Sequence, residues 1–176
     1  MPGVITHKNL LITERQIQKR LKELADEINS KYTQVTLLVT LTGGVYTAVD
    51  LSKHITIPCK LEFVKISSYG HEQEQGIIEL KWMSVNKGRH LGNVIVVDDV
   101  FDTGNTLTYL TKYIKNNYTY DSLDTLCLLD KPGRRNPDVD LTLTYTGFVI
   151  NDEFVYGYGL DLKEYDRNLT DILYIA

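Results

Sequence analysis

Residues 94–107 read VIVVDDVFDTGNTL. Val94, Ile95, Val96 and Val97 form an unbroken β-branched run, which predicts a strand buried on both faces of a sheet. The run then meets Asp98 and Asp99, and three residues later Asp102, Thr103, Gly104, Asn105 and Thr106. TLTYLTKYIKNN follows with helical spacing, so the polar turn links a strand to a helix. A helix N-terminus offers unpaired N–H groups and the positive end of its dipole. A short turn rich in Gly and Thr lets those groups close around a phosphate, with Gly104 allowing close backbone approach and Thr103 and Thr106 adding hydroxyls. Asp98 and Asp99 then suit the hydroxyls of a sugar beside that phosphate, or a hydrated Mg²⁺. The stretch as a whole points to a phosphorylated sugar. Asp102 alone reads equally well as a helix cap.

Outward from this stretch, strand and helix alternate. TERQIQKRLKELADEINSKY carries Ile17, Leu21, Leu24, Ala25 and Ile28 on one helical face behind a capping Thr13. QVTLLVTL (34–41) predicts a buried strand, and TGGVYTAVDLSKHI turns at Gly43 and Gly44 into a helix. CKLEFVKI (59–66) predicts a strand, SSYGHEQEQG (67–76) a polar loop, and IIELKWM another strand. SLDTLCLLD (122–130) predicts a strand and KPGRRNPDVD a loop, with short β segments in YTGFVI, FVYGYGL and ILYI. The alternation predicts an α/β fold around a mainly parallel sheet covered on both faces. Ligands in such sheets bind beyond the carboxyl ends of the strands. TGG, SSYG, DDVFDTGNT and DKPGRR each follow a strand, so all four are expected on one rim.

Bulk properties narrow the chemistry. With 176 residues, 43% hydrophobic and 24% charged, the chain fits one domain with a full core. A net charge of -4 offers no basic field for nucleic acid. Cys59 and Cys127 lie far apart, with neither zinc spacing nor a disulfide framework. No secretory leader and no run near the ~18 apolar residues of a membrane span is present, so a cytoplasmic location is expected. A strand ending in Asp invites comparison with nucleotide-triphosphate sites, but no GxxxxGK[ST] loop accompanies it, and GYGLDL (157–162) lacks the third glycine of a dinucleotide fingerprint.

VIVVDDVFDTGNTL resembles the 5-phosphoribosyl 1-pyrophosphate (PRPP) motif of the type I phosphoribosyltransferases. LLDKPGRR and FVINDEFVYGYGLDLKEYDRNL resemble the C-terminal half of the hypoxanthine and hypoxanthine–guanine branch of that family, and SSYG resembles its mobile loop. The likeness runs from about residue 35 to the end. It implies the type I phosphoribosyltransferase fold: one domain over 1–176, with a small hood formed mainly by about 1–12 and 131–176. It implies transfer of the phosphoribosyl group from PRPP to a 6-oxopurine, hypoxanthine first and guanine second, with Mg²⁺ as cofactor and a homodimer or homotetramer as the assembly.

The resemblance also implies roles. Asp98 and Asp99 hold the ribose hydroxyls and, with Asp161, the metal. Asp102, Thr103, Gly104, Asn105 and Thr106 cradle the 5-phosphate, and Asp102 handles the proton at purine N7. Thr42, Gly43, Ser68, Tyr69 and Arg167 meet the pyrophosphate, with 67–76 as a lid. Lys131 donates to the 6-oxo group, Phe154 stacks on the base and Val155 presents backbone to its edge. An ammonium is a donor only, which favours an oxo group over the amino group of adenine. Thr42 departs from the Lys or Arg usual in the family, which removes a charge from the pyrophosphate loop. Tyr156 replaces a smaller aliphatic residue. A xanthine-preferring enzyme, and a PRPP-binding regulatory protein of weak catalysis, stay open as alternatives.

Overall fold

The computed structural model describes residues 9–69 and 77–175, with backbone alone at 68, 69 and 77. Its elements are β1 (Asn9–Ile12), α1 (Glu14–Lys31), β2 (Val35–Leu41), α2 (Gly44–Ser52), β3 (Cys59–Tyr69), β4 (Ile77–Met83), β5 (Asn93–Phe101), α3 (Asn105–Asn117), β6 (Ser122–Asp130), β7 (Tyr145–Val149), β8 (Phe154–Tyr156) and β9 (Ile172–Ile175). A short 3₁₀ turn, Pro132–Arg134, follows β6.

The helix expected after Thr13 forms. Thr13 is its N-cap, and a capping box joins it to Gln16: the Thr13 hydroxyl accepts from Gln16 N–H, and Gln16 Oε1 accepts from Thr13 N–H. Ile17, Leu21, Leu24, Ala25 and Ile28 are the buried face.

Six strands form the main sheet in the order β4-β3-β2-β5-β6-β7. β3, β2, β5, β6 and β7 run parallel, and only the edge strand β4 is antiparallel. Alternate residues of each central strand enter opposite cores, as a strand buried on both faces requires. Leu37, Val39, Ile95 and Val97 pack with α1 and α2. Leu38, Val94, Val96 and Cys127 pack with Leu107, Leu110 and Ile114 of α3. A second sheet, β1-β9-β8, is antiparallel throughout. Its Ile12, Val155 and Ile172 join the α1–α2 core, so the small sheet is fastened to the large one by apolar packing.

Three details depart from the expectations. β3 continues through Ser67, Ser68 and Tyr69, which pair with Glu79, Ile78 and Ile77 of β4. Antiparallel pairing satisfies the backbone there, so polar side chains do not end the strand. Residues 70–76 of the expected lid lie outside the described residues. Asn9–Ile12 is a strand, although four residues give too short a pattern to read alone. Tyr145–Val149 pairs with β6 in the main sheet, so the small sheet draws its strands from 9–12, 154–156 and 172–175. Among the described residues no helix is long and apolar enough to cross a membrane.

Candidate active site

The parallel register brings the ends of five strands to one edge: Leu41 lies beside Lys65, Phe101 beside Asp130, and Asp130 beside Val149. At that edge is a cleft of about 290 Å³ lined by Thr42, Gly43, Asp98, Asp99, Thr106, Asp161 and Arg167, together with Thr40 and Ile66. Residues from four separate segments therefore converge. A larger hollow of about 480 Å³, walled by Val45, Tyr46, Val49 and Leu169, lies between α2 and the 158–170 segment. Of its two carboxylates, Glu14 and Asp50, Asp50 is already bonded to Gln18, Lys53 and Tyr158. No cation lines the hollow among the described residues, so the smaller cleft, with its acid pair and arginine, is the chemically equipped one.

Both expected acids are on β5. Asp98 is buried, and its Oδ1 accepts from the Thr40 hydroxyl and, at 3.0 Å, from the Asp99 N–H. Asp99 is half-buried and its Oδ1 accepts from Val100 N–H at 2.8 Å. Burial raises the pKa of Asp98, against the two hydrogen bonds that favour its ionised form. Asp99 is held well above the ordinary carboxylate range, first by burial and then by the charge of Asp98. Such a pair gains from cationic or hydroxyl partners that share its charge. Among the described residues no three His, Cys, Asp or Glu side chains converge to hold a metal ion by themselves.

The turn after β2 fits against this pair. The Leu41–Thr42 peptide is cis. A Cβ on Gly43 would lie 1.5 Å from Asp99 Oδ2, and one on Gly159 would lie 2.6 Å from the Gly43 carbonyl oxygen. Only glycine allows these approaches. Opposite, Arg167 donates from Nη2 to Asp161 Oδ1 at 2.8 Å and from Nη1 to the Gly159 carbonyl at 2.5 Å. Asp161 Oδ2 also accepts from Glu164 N–H. Among the described residues, the one guanidinium lining the cleft is thus already committed to a carboxylate.

The turn before α3 lies next along the rim. Gly104 is the N-cap of α3 with φ 85, a left-handed conformation suited to glycine. Asn105 N–H points to Thr103 Oγ1 at 3.4 Å, and Asn105 Oδ1 accepts from Asn136 Nδ2 at 3.1 Å. Thr103 N–H and Gly104 N–H have no acceptor among the described residues. Asp102 accepts from Arg134 Nε at 2.7 Å.

Lys131 is buried and donates to the Glu153 carbonyl at 2.7 Å, while its N–H bonds the Phe101 carbonyl at 3.0 Å. It therefore bridges the end of β5 and the turn before Phe154. Phe154 is 54% exposed; Val155 and Tyr156 are buried. Lys131, Phe154 and Val155 belong to this second part of the rim and not to the lining of the cleft. Ser68 and Tyr69 end β3 on the same edge.

Sequence reasoning missed Thr40, Arg134, Arg135, Asp130 and Glu153. Thr40 is a polar residue inside an apolar strand, a visible sign of a buried acceptor. The arginines stood in plain view in DKPGRR, but their partners lie 32 and 33 residues back at Asp102. Glu153 contributes a carbonyl, which any residue carries.

A model of the phosphoribosyl transferase domain matches residues 10–163. The hypoxanthine-guanine phosphoribosyltransferase of Mycobacterium bovis is 34% identical over 183 residues, covering 99% of this chain and 87% of that protein. The crystal structure of a hypoxanthine-guanine phosphoribosyltransferase from Bacillus anthracis superposes with a TM-score of 0.84 at 38% identity, over 98% of this chain and 100% of that one. The hypoxanthine phosphoribosyltransferase of Trypanosoma cruzi, solved with the product IMP, has a TM-score of 0.83 at 29% identity, over 99% of this chain and 98% of the other.

Proposed function

The chain belongs to the phosphoribosyltransferase family, and from that premise we propose how its residues carry out purine salvage, the transfer of the phosphoribosyl group of PRPP to hypoxanthine. The products are IMP and pyrophosphate. Guanine is the second substrate, giving GMP.

The observation that carries this reading is the convergence of the Asp98–Asp99 pair, the Thr42–Gly43 turn and Arg167 on one cleft beside the 102–106 turn. In the reaction the bond from the ribose anomeric carbon to pyrophosphate breaks, and its electrons leave with the pyrophosphate. The purine N9 lone pair forms the new bond, and the N7 proton departs. The anomeric carbon gains oxocarbenium character on the way, so the residues must bind both ends of PRPP and keep water out.

Asp98 and Asp99 take the ribose hydroxyls, whose donors offset the charge that burial makes costly. Asp102, Thr103, Gly104, Asn105 and Thr106 hold the 5-phosphate, using the Thr103 and Gly104 N–H groups, which have no acceptor among the described residues. Thr42, Gly43, Ser68, Tyr69 and Arg167 meet the pyrophosphate. Asp102 accepts the N7 proton. Lys131 donates to the 6-oxo group, Phe154 stacks its open ring on the base, and Val155 supplies backbone groups. A divalent cation, Mg²⁺, fits Asp98, Asp99 and Asp161: their hard carboxylate oxygens suit it, and an ion shared with substrate oxygens needs few protein ligands. When bound it supplies positive charge to the leaving diphosphate. A cytoplasmic location and a homodimer or homotetramer complete the reading.

The test is direct. Incubate the protein with PRPP, Mg²⁺ and, separately, hypoxanthine, guanine, xanthine and adenine, and measure nucleotide formed. Hypoxanthine is expected to give the highest kcat/KM. No product from any base overturns the enzyme reading, and adenine as best substrate overturns the role of Lys131.

A further inference from the structure

Arg134 and Arg135 are consecutive, and both reach Asp102. Arg135 Nη1 donates to the Asp102 backbone carbonyl at 2.7 Å. Its Nη2 bonds Asp130, and its guanidinium carbon lies 3.3 Å from the centre of the Phe101 ring. Arg135 is thereby fixed to the last residues of β5 and β6, and it holds the backbone of Asp102. Arg134 holds the side chain: its Nε donates to Asp102 Oδ1 at 2.7 Å. Oδ2 has no partner among the described residues.

This arrangement does not serve stability. The Arg134 and Asp102 side chains are 49% and 39% exposed, and ion pairs so open to water contribute little to folding. It does serve orientation. A carboxylate turns about its last torsion with little resistance. Fixing one oxygen from outside leaves the other presented at a set angle, and proton transfer demands such alignment.

We propose that Arg134 is a positioning residue for the phosphoribosyl transfer: it holds one oxygen of Asp102 so that the other meets the purine N7 proton. The proposal rests on the proton-handling role of Asp102. It is specific to the side-chain bond, because Arg135 secures the backbone independently.

The experiment compares wild type, Arg134→Gln, Arg134→Lys, Asp102→Asn and the Arg134→Gln/Asp102→Asn double variant. For each, kcat, the KM values for PRPP and hypoxanthine, and the thermal midpoint are measured. Arg134→Gln is expected to lower kcat roughly tenfold with both KM values within about twofold and the midpoint unchanged. Arg134→Lys recovers most of the loss, since a single donor suffices for this one-point bond. In the Asp102→Asn background Arg134→Gln has no further effect, as two residues acting as a unit require. Equal loss in both backgrounds, a fall in the midpoint matching the fall in rate, or no loss in Arg134→Gln beside a slow Asp102→Asn each overturns the positioning role alone. Asp102→Asn turning over at the wild-type rate overturns the role of Asp102 and the proposal with it.

Discussion

Lys131 Nζ lies 2.7 Å from the carbonyl oxygen of Glu153, and this bond joins the end of β6 to the turn before β8. A buried ammonium has three donors to satisfy, and the Glu153 carbonyl takes one. The remaining donors are what a purine oxo group would engage.

Lys131→Met should therefore lower kcat/KM for hypoxanthine roughly 10- to 100-fold, because a hydrogen bond from a charged donor is worth about 1.5–3 kcal/mol. The KM for PRPP should stay within about twofold. Steady-state kinetics with each substrate varied checks this, and an unchanged hypoxanthine kcat/KM refutes it.

Gly43→Ala forces a methyl group to within 1.5 Å of Asp99 Oδ2 unless the turn or the acid moves. Overpacking of this kind costs about 1–3 kcal/mol. The urea midpoint should fall, and PRPP affinity should fall further if the displaced acid holds the ribose hydroxyls as proposed. Calorimetric titration with PRPP, beside urea unfolding, separates the two losses. Wild-type affinity in this variant would show that Asp99 takes no part in binding.

Asp99 has a raised pKa in the folded chain, so between the unfolded and folded values the native state holds more protons than the unfolded one. Stability from this group is present at low pH and declines as pH rises through that interval. Asp99→Asn keeps an oxygen for the Val100 N–H and removes the charge. Measured without divalent cations or PRPP, it should be more stable than wild type at neutral pH by an amount on the order of 1 kcal/mol, or a thermal midpoint ~2–4 °C higher. The gain should vanish in acid, while PRPP binding is lost at every pH. A variant less stable than wild type at neutral pH contradicts the sign.

Thr42→Lys adds a cation to a cleft lined by Asp98, Asp99, Asp161 and the already paired Arg167. PRPP should bind about tenfold more tightly at low salt and limiting Mg²⁺, equivalent to ~1.4 kcal/mol. Equal affinity would mean that the missing charge at this position does not limit binding.

Much of the fold was legible because its signals are local. A β-branched run, a helical stripe behind a capping Thr, and a glycine turn each depend on residues within a few places of one another. Their alternation predicted the parallel sheet and its rim. The strand β1 and the extension of β3 to Tyr69 were not legible, because both depend on pairing with distant strands, Asn9 with Tyr174 and Tyr69 with Ile77. Thr40 meets Asp98 for the same reason: β2 and β5 are neighbours in space only.

VIVVDDVFDTGNTL by itself determined a buried strand that delivers acids and a phosphate-type turn to the carboxyl edge of a sheet, since hydrophobic period and turn chemistry are encoded residue by residue. The tertiary structure decided which groups surround them. It brought Asp161 and Arg167 to the Asp98–Asp99 cleft. It also set Arg134 against Asp102 and closed Gly43 onto Asp99. Those contacts join parts of the chain that only packing between layers brings together, and a hydrogen bond or close approach exists only at the few ångströms that packing fixes.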